Sequence, residues 1–213
     1  MTNTELLALF RTEVMDLEQP YLWGDSWVYG AIDDAQKQFC RDTWGIADAR
    51  SFKIAIKSDG TEWYKIDSRI LKIRDATFAD TGRGVNLIAA EKMAAHNIYF
   101  DGKQAPLSAL ITGLEANTVR TWPVPNVAAT VNLSVFRLPA DLATGDDLEI
   151  DPQHHRHLLH WVKHLAYSIQ DSEVYDKNAS DKYRAKHDAY CSKALVEQSR
   201  ASHQASSVVY GGI

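Results

Sequence analysis

The chain is poor in residues that staple or chelate. Its two cysteines, Cys40 and Cys191, sit in no CxxC or comparable metal-binding spacing. That argues against a disulfide-built scaffold and against a zinc-ribbon module. Both thiols read as reduced and buried within helices, in preference to a bridge between the two terminal helical regions. Long apolar runs are missing too: no stretch of eighteen apolar residues occurs, so no segment is expected to span a bilayer and no membrane partner is expected. Residues 1–14 have no basic region and carry acids within their apolar part, so a secretory signal is not expected. An excess of positive charge is also absent, with 23 Lys and Arg against 28 Asp and Glu, a net −5. A dedicated nucleic-acid binder is normally basic over its contact face. A wall along which DNA slides remains compatible with this charge, because such a wall must not grip phosphate.

What is present suffices for a sizeable core: 45% of 213 residues are hydrophobic, enough for one moderately large domain or two small ones. Residues 4–17 predict a helix capped by Thr4, with Leu6, Leu7, Phe10, Val14 and Leu17 as its apolar stripe. Gln19-Pro20 stops it. A second helix follows from Asp25 or Ser26 to about Trp44, with Val28, Ile32, Ala35 and Phe39 inward. Between residues 51 and 139 the period changes. Short apolar runs are broken by turn signals at Asp59-Gly60, Thr81-Gly82, Asp101-Gly102 and Pro123-Pro125. Strands are expected at 52–57, 63–66, 70–74, 85–88 and 98–100, and through Val131, Leu133 and Val135; residues 91–96 suit a short helix. Asp151-Pro152 opens a helix running to about Tyr175, with Leu158, Val162, Leu165, Ala166 and Ile169 inward. A last helix spans 180–200, capped by Ser180, with Tyr183, His187, Tyr190 and Ala194 on one face. The expected fold class is α+β: a helical bundle of N- and C-terminal helices (1–50 and 140–201) with an inserted antiparallel β-rich domain (51–139) and an extended tail (202–213).

Catalytic, cofactor and metal residues are not expected. His154, His155, His157, His160 and His164 crowd eleven positions, and His160 and His164 share a helix face as zinc-ligating pairs do. The stretch reads HWVKH, however, with Trp161 where a metalloprotease places its glutamate, and no third ligand follows at a convincing spacing. There is no GxSxG. Thr81-Gly82-Arg83-Gly84 is too short for a phosphate loop and reads as a hairpin turn. The acid pairs Asp33-Asp34 and Asp146-Asp147 are adjacent in sequence, not opposed as glycoside hydrolysis requires.

Contact surfaces are better signalled. Tyr21, Trp23, Trp27 and Tyr29 crowd one junction, suited either to the core or to a subunit contact. His157, Trp161 and His164 form a second face beside the apolar stripe of their helix. Trp23, Trp27, His157, Trp161 and His164 are therefore the expected subunit-interface residues. The C-terminus turns from a small, polar stretch to Val208, Val209, Tyr210 and Ile213. Apolar residues on a polar arm make sense if they dock into a neighbour, as by adding a strand to an open edge.

Four stretches then carry a likeness to a known group. These are Trp23-Gly24-Asp25-Ser26-Trp27 with the helix Ile32-Asp33-Asp34-Ala35-Gln36-Lys37-Gln38-Phe39-Cys40; Trp122-Pro123-Val124-Pro125; Val135-Phe136-Arg137-Leu138-Pro139; and Leu148-Glu149-Ile150-Asp151 through His154-His155 and Leu158-Leu159-His160-Trp161 to Ala166-Tyr167 and Asp171-Ser172-Glu173. In this order they resemble the head-to-tail adaptor, or connector, proteins of tailed bacteriophages, whose short-tailed-phage version is tail tubular protein A. Residues 75–118 resemble the family least. The resemblance implies a non-enzymatic virion component of the neck or tail, assembled in the host cytoplasm, without cofactors. It implies a ring, usually of twelve copies, beneath the portal protein. That ring extends the DNA channel, lets genomic DNA pass without specific contacts, and docks the tail (nozzle or stopper) protein. It also implies that the C-terminal segment reaches the portal. Two rival classes are a tail accessory protein that binds carbohydrate or host surface, with Trp63 and Tyr64 as candidates, and a tail-borne cell-wall hydrolase.

Overall fold

The computed structural model describes residues 1–171 and 173–203. It is an α+β protein that divides into two compact units, one made of residues 1–46 and 139 onward, the other of residues 47–138.

In the first unit, α1 (Asn3–Val14) is capped two residues earlier than expected. Thr2 is the cap: its hydroxyl accepts from Glu5 N at 3.2 Å while Glu5 Oε2 accepts from Thr2 N at 3.0 Å, a reciprocal capping box. The helix ends at Val14 because Met15 turns left-handed (φ 60°) and Asp16 folds back inside. Leu17, expected on the stripe, is therefore outside the helix and 58% exposed. Leu6 and Phe10 are fully buried. Helix α2 (Asp25–Asp42) buries Val28, Ile32, Ala35 and Phe39, the four positions that its spacing predicts. Gly24, not Asp25 or Ser26, occupies its cap position.

Asp151-Pro152 does start a helical segment, and the Asp151 carboxylate accepts from Gln153 N at 3.1 Å. Its first turns (Pro152–His157) are 3-10, however, and α3 proper is Leu158–Ser168, ending well short of Tyr175. Leu158, Val162 and Ala166 are buried, while Leu165 and Ile169 stay partly exposed. Helix α4 (Lys177–His203) starts before Ser180. Asp176 does the capping there, accepting from Ala179 N at 3.0 Å. Ser180 is instead buried inside the helix and ties α4 to α3, its hydroxyl donating to the His164 carbonyl at 3.0 Å.

The second unit holds nine strands, β1 (Ile46–Ile56) starting at its boundary, then β2 (Trp63–Lys65), β3 (Ile70–Phe78), β4 (Asn86–Ala89), β5 (Gln104–Ala105), β6 (Ala109–Thr112), β7 (Thr118–Trp122), β8 (Val124–Pro125) and β9 (Ala129–Arg137). They form sheets ordered β1-β9-β3, β2-β7-β6-β4 and β5-β8. Val131, Leu133 and Val135 face a core with Ile54, Ile56, Ala76, Leu110 and Val119, as strict alternation requires. β3 pairs antiparallel with β9, and β7 antiparallel with β2 and β6, but β4 runs parallel to β6. A parallel neighbour needs a long crossover, and residues 90–108 supply it. Two 3-10 turns (Ala90–Lys92 and Ala94–His96) take the place of the short helix expected there. Residues 98–100 form no strand: Ile98 plugs a small core with Ile88 and Ile111, and Tyr99 and Phe100 turn outward.

Candidate docking surfaces

The histidine-rich segment is mostly committed to the helical unit. His154 and His155 are buried. His155 Nε2 lies 2.8 Å from the Ile150 carbonyl, and its Nδ1 3.1 Å from the Met1 amino group. His154 packs on Phe39 and meets the Tyr190 hydroxyl at 2.9 Å. The three remaining imidazoles line the contact of α3 with α4. His157 stacks on Tyr190 with ring centroids 3.6 Å apart. His164 Nδ1 lies 2.8 Å from the Ser180 hydroxyl. His160 lies beside His157 and Tyr183, its Nδ1 buried without a hydrogen-bond partner. Burial, reinforced by the positive charge of neighbours such as Lys186 and Lys163, pushes His160 down to about 4; burial also lowers His154 and His157. These groups are neutral at physiological pH, so this face is aromatic and imidazole in character.

Trp161 is partly exposed; its indole N–H donates to Asp34 at 3.2 Å and its ring lies 5.1 Å from His164. His157, Trp161 and His164 thus come together on one side of the helical unit, each held by a partner within it and each still partly open to solvent. Beside them Lys163 is buried and ion-paired with Glu13. Burial alone would raise the Glu13 carboxyl, but hydrogen bonds and charge from Lys163 and Arg156 outweigh it and hold the group below its usual range.

The two tryptophans of the aromatic junction separate. Trp23 is a core residue: it packs edge-on against Phe10 and Tyr167 at 5.6 and 5.8 Å, and its indole donates to the Ala166 carbonyl. Tyr21 lies beneath the Arg11 guanidinium at 3.5 Å. Trp27 stays partly exposed and walls an open groove of about 410 Å³ with Gly30, Ala31, Leu165 and Ile169. Gly30 and Ala31 create this groove, since neither has a side chain long enough to fill the space between α2 and α3. Val208, Val209, Tyr210 and Ile213 lie outside the described residues.

The β-rich unit carries a second aromatic surface. Tyr64, a candidate only under the rival carbohydrate-binding reading, is buried: its hydroxyl donates to the Thr61 carbonyl at 3.0 Å and accepts from Lys57 N at 2.9 Å. Trp63, its neighbour on the opposite face of β2, is 41% exposed and stands across from Arg120 of β7. The Arg120 guanidinium lies 3.4 Å over Phe100 and 5.1 Å over Trp63 and pairs with Glu62. Tyr99, 66% exposed, accepts from the Trp122 indole through its carbonyl. Three distant segments build this patch, so only the strand pairing reveals it. The one local hint was the clustering of aromatics at 63–64 and 99–100.

The fold and these surfaces define a class: an α+β protein whose accessible aromatic groups suit contact with other macromolecules. A family model described as SU10 adaptor protein matches residues 1–210, and the chain belongs to that family. It is thus a phage adaptor protein in the general sense, from a family of structural proteins and not of enzymes. Comparison with curated proteins gave no match.

Proposed function

We propose that this chain is the head-to-tail adaptor of a phage particle, of the kind represented by tail tubular protein A, and that it works as one copy in a closed ring of twelve beneath the portal. The ring extends the DNA channel in the neck and presents the docking surface for the tail nozzle or stopper protein. The observation that carries the reading is the family match along residues 1–210. Two properties of the chain support it. A net charge of −5 suits a channel wall that lets genomic DNA pass. Partly exposed Trp27, His157, Trp161 and His164 supply aromatic and imidazole contact area, while Trp23 is packed in the core.

A cyclic ring repeats one heterologous interface until it closes. Residues 202–213 bring Val208, Val209, Tyr210 and Ile213 to the portal. Each contact is weak by itself, because it rests on only a few apolar side chains. Many arms on one portal act together, and the effective concentration created by the first contacts holds the rest. Assembly takes place in the host cytoplasm, where a monomer meets the portal's pre-arranged sites.

Deleting residues 202–213 tests this. The truncated chain keeps its circular dichroism and its unfolding midpoint but no longer co-sediments with purified portal; unaltered portal binding would overturn the proposal. The exposed Trp63, Tyr99 and Phe100 favour, as a second reading, a glycan-binding accessory protein of the tail. That reading expects the deletion to leave binding to a glycan array unchanged, and expects Trp63→Ala to abolish it.

A further inference from the structure

Three groups of different chemistry meet at one point of the helical unit. Asp42 is the last residue of α2, while His187 and Cys191 stand one turn apart on α4 and so share a face. Asp42 Oδ2 lies 3.0 Å from His187 Nε2, and Cys191 Sγ lies 3.3 Å from that same nitrogen. The three donor atoms all fall within 4.8 Å of one another. Among the described residues this is the one such gathering of three metal-ligating groups. The site is also braced. The Gln38 amide donates to both Asp42 oxygens at 3.0 Å, and the Trp161 ring lies 5.0 Å from the His187 ring. His187 and Cys191 are buried, and the Asp42 side chain is 34% exposed, which leaves a route from solvent.

Nε2 is one atom with at most one proton, and it faces both a carboxylate and a thiol. As Nε2–H it donates to Asp42, with the Cys191 sulfur at most a weak second acceptor. One cation among the three atoms would engage all three groups at once. In a tetrahedral site with Zn–S near 2.3 Å and Zn–N or Zn–O near 2.0 Å, neighbouring ligand atoms are roughly 3.3–3.6 Å apart. The Asp42–His187 and His187–Cys191 spacings are a few tenths of an ångström shorter, and Asp42 and Cys191 lie within 4.8 Å of each other, so side-chain adjustment would draw the three atoms around the ion. The mix of thiolate, imidazole and carboxylate suits a borderline divalent ion, and carbonyl-rich cages for calcium are of another kind.

We propose that Asp42, His187 and Cys191 bind one Zn²⁺ or chemically similar divalent transition-metal ion per chain, with water in the fourth position on the Asp42 side. The ion clamps the end of α2 to α4. Binding displaces the Cys191 proton, since the thiolate is the ligand.

The test uses the full-length chain, stripped with chelator, reloaded with Zn²⁺ or with Co²⁺ as a spectroscopic probe, and desalted. One zinc per chain is expected by elemental analysis, with a raised unfolding midpoint. The Co²⁺ form is expected to show the near-ultraviolet thiolate-to-metal charge-transfer absorption. Cys191→Ser, nearly isosteric, loses that absorption and binds zinc at least tenfold more weakly. Asp42→Asn, at a partly exposed position, weakens zinc similarly without unfolding the chain. Failure of the wild type to retain stoichiometric zinc, Co²⁺ binding without the thiolate absorption, or Cys191→Ser binding zinc as tightly as wild type would each overturn the assignment.

Discussion

Arg11 offers the sharpest test of how the helical unit is held together. Its guanidinium is buried between Asp16, 2.6 Å away, the Trp23 carbonyl at 2.8 Å and Asp25, with Tyr21 against its face. Asp16 is the critical partner, because its side chain is only 3% exposed. In Arg11→Met the chain keeps most of the packing volume but leaves the Asp16 carboxylate without its counter-charge. Removing one member of a buried pair costs about 3–5 kcal/mol. Asp16 still accepts from Leu22 N at 3.0 Å, so the lower end, about 3 kcal/mol, is expected. Asp25 adds little, since its carboxylate is more than half exposed. A domain of this size has of the order of 5–15 kcal/mol in total, so the loss is large but not fatal. The double variant Arg11→Met/Asp16→Asn removes the orphaned charge and is expected to recover at least half of it. Urea unfolding followed by tryptophan fluorescence, with Trp23 as a core reporter, measures both. If the single substitution costs less than about 1 kcal/mol, or the double variant is no more stable than the single, the buried charge pair does not organise this corner of the fold.

Two further outcomes are expected. Thr2→Ala removes half of the α1 capping box and should cost about 1 kcal/mol, seen as a lower urea midpoint with an unchanged slope. His154, His157 and His160 all have folded-state pKa values below the ordinary 6.5, so the unfolded chain binds more protons than the native chain at mildly acid pH. Their stabilising contribution is complete above about pH 6.5 and is lost as pH falls toward the folded value of about 4 at His160. Partial exposure limits the His160 share to about 1–2 kcal/mol. Thermal midpoints between pH 7 and pH 4.5 should therefore fall for the wild type and fall less steeply for His160→Phe; parallel slopes would refute this.

Particular elements show where sequence reasoning reaches and where it stops. Val28, Ile32, Ala35 and Phe39 could be read as one buried face, because a helix repeats every 3.6 residues whatever it packs against. Val131, Leu133 and Val135 were legible for the same kind of reason, with a period of two. The Ser180 cap was misread because Asp176, four residues earlier, competes for the same role. Only the packing of α3 on α4 shows that Ser180 is needed inside. The strand expected at 98–100 fails because three apolar residues carry no period long enough to tell a strand from a plug.

Local periodicity and turn chemistry thus determine the order of helices, sheet and helices and the inward face of most elements, since both act between residues a few positions apart. Tertiary structure alone decides which tryptophan is spent in the core, that β4 lies parallel to β6, and that Arg120 meets Phe100, because these depend on pairings between segments distant in the chain. It alone brings Asp42 to His187 and Cys191: the i, i+4 pair is visible in the sequence, but the third group arrives from another helix, and no spacing rule spans that gap.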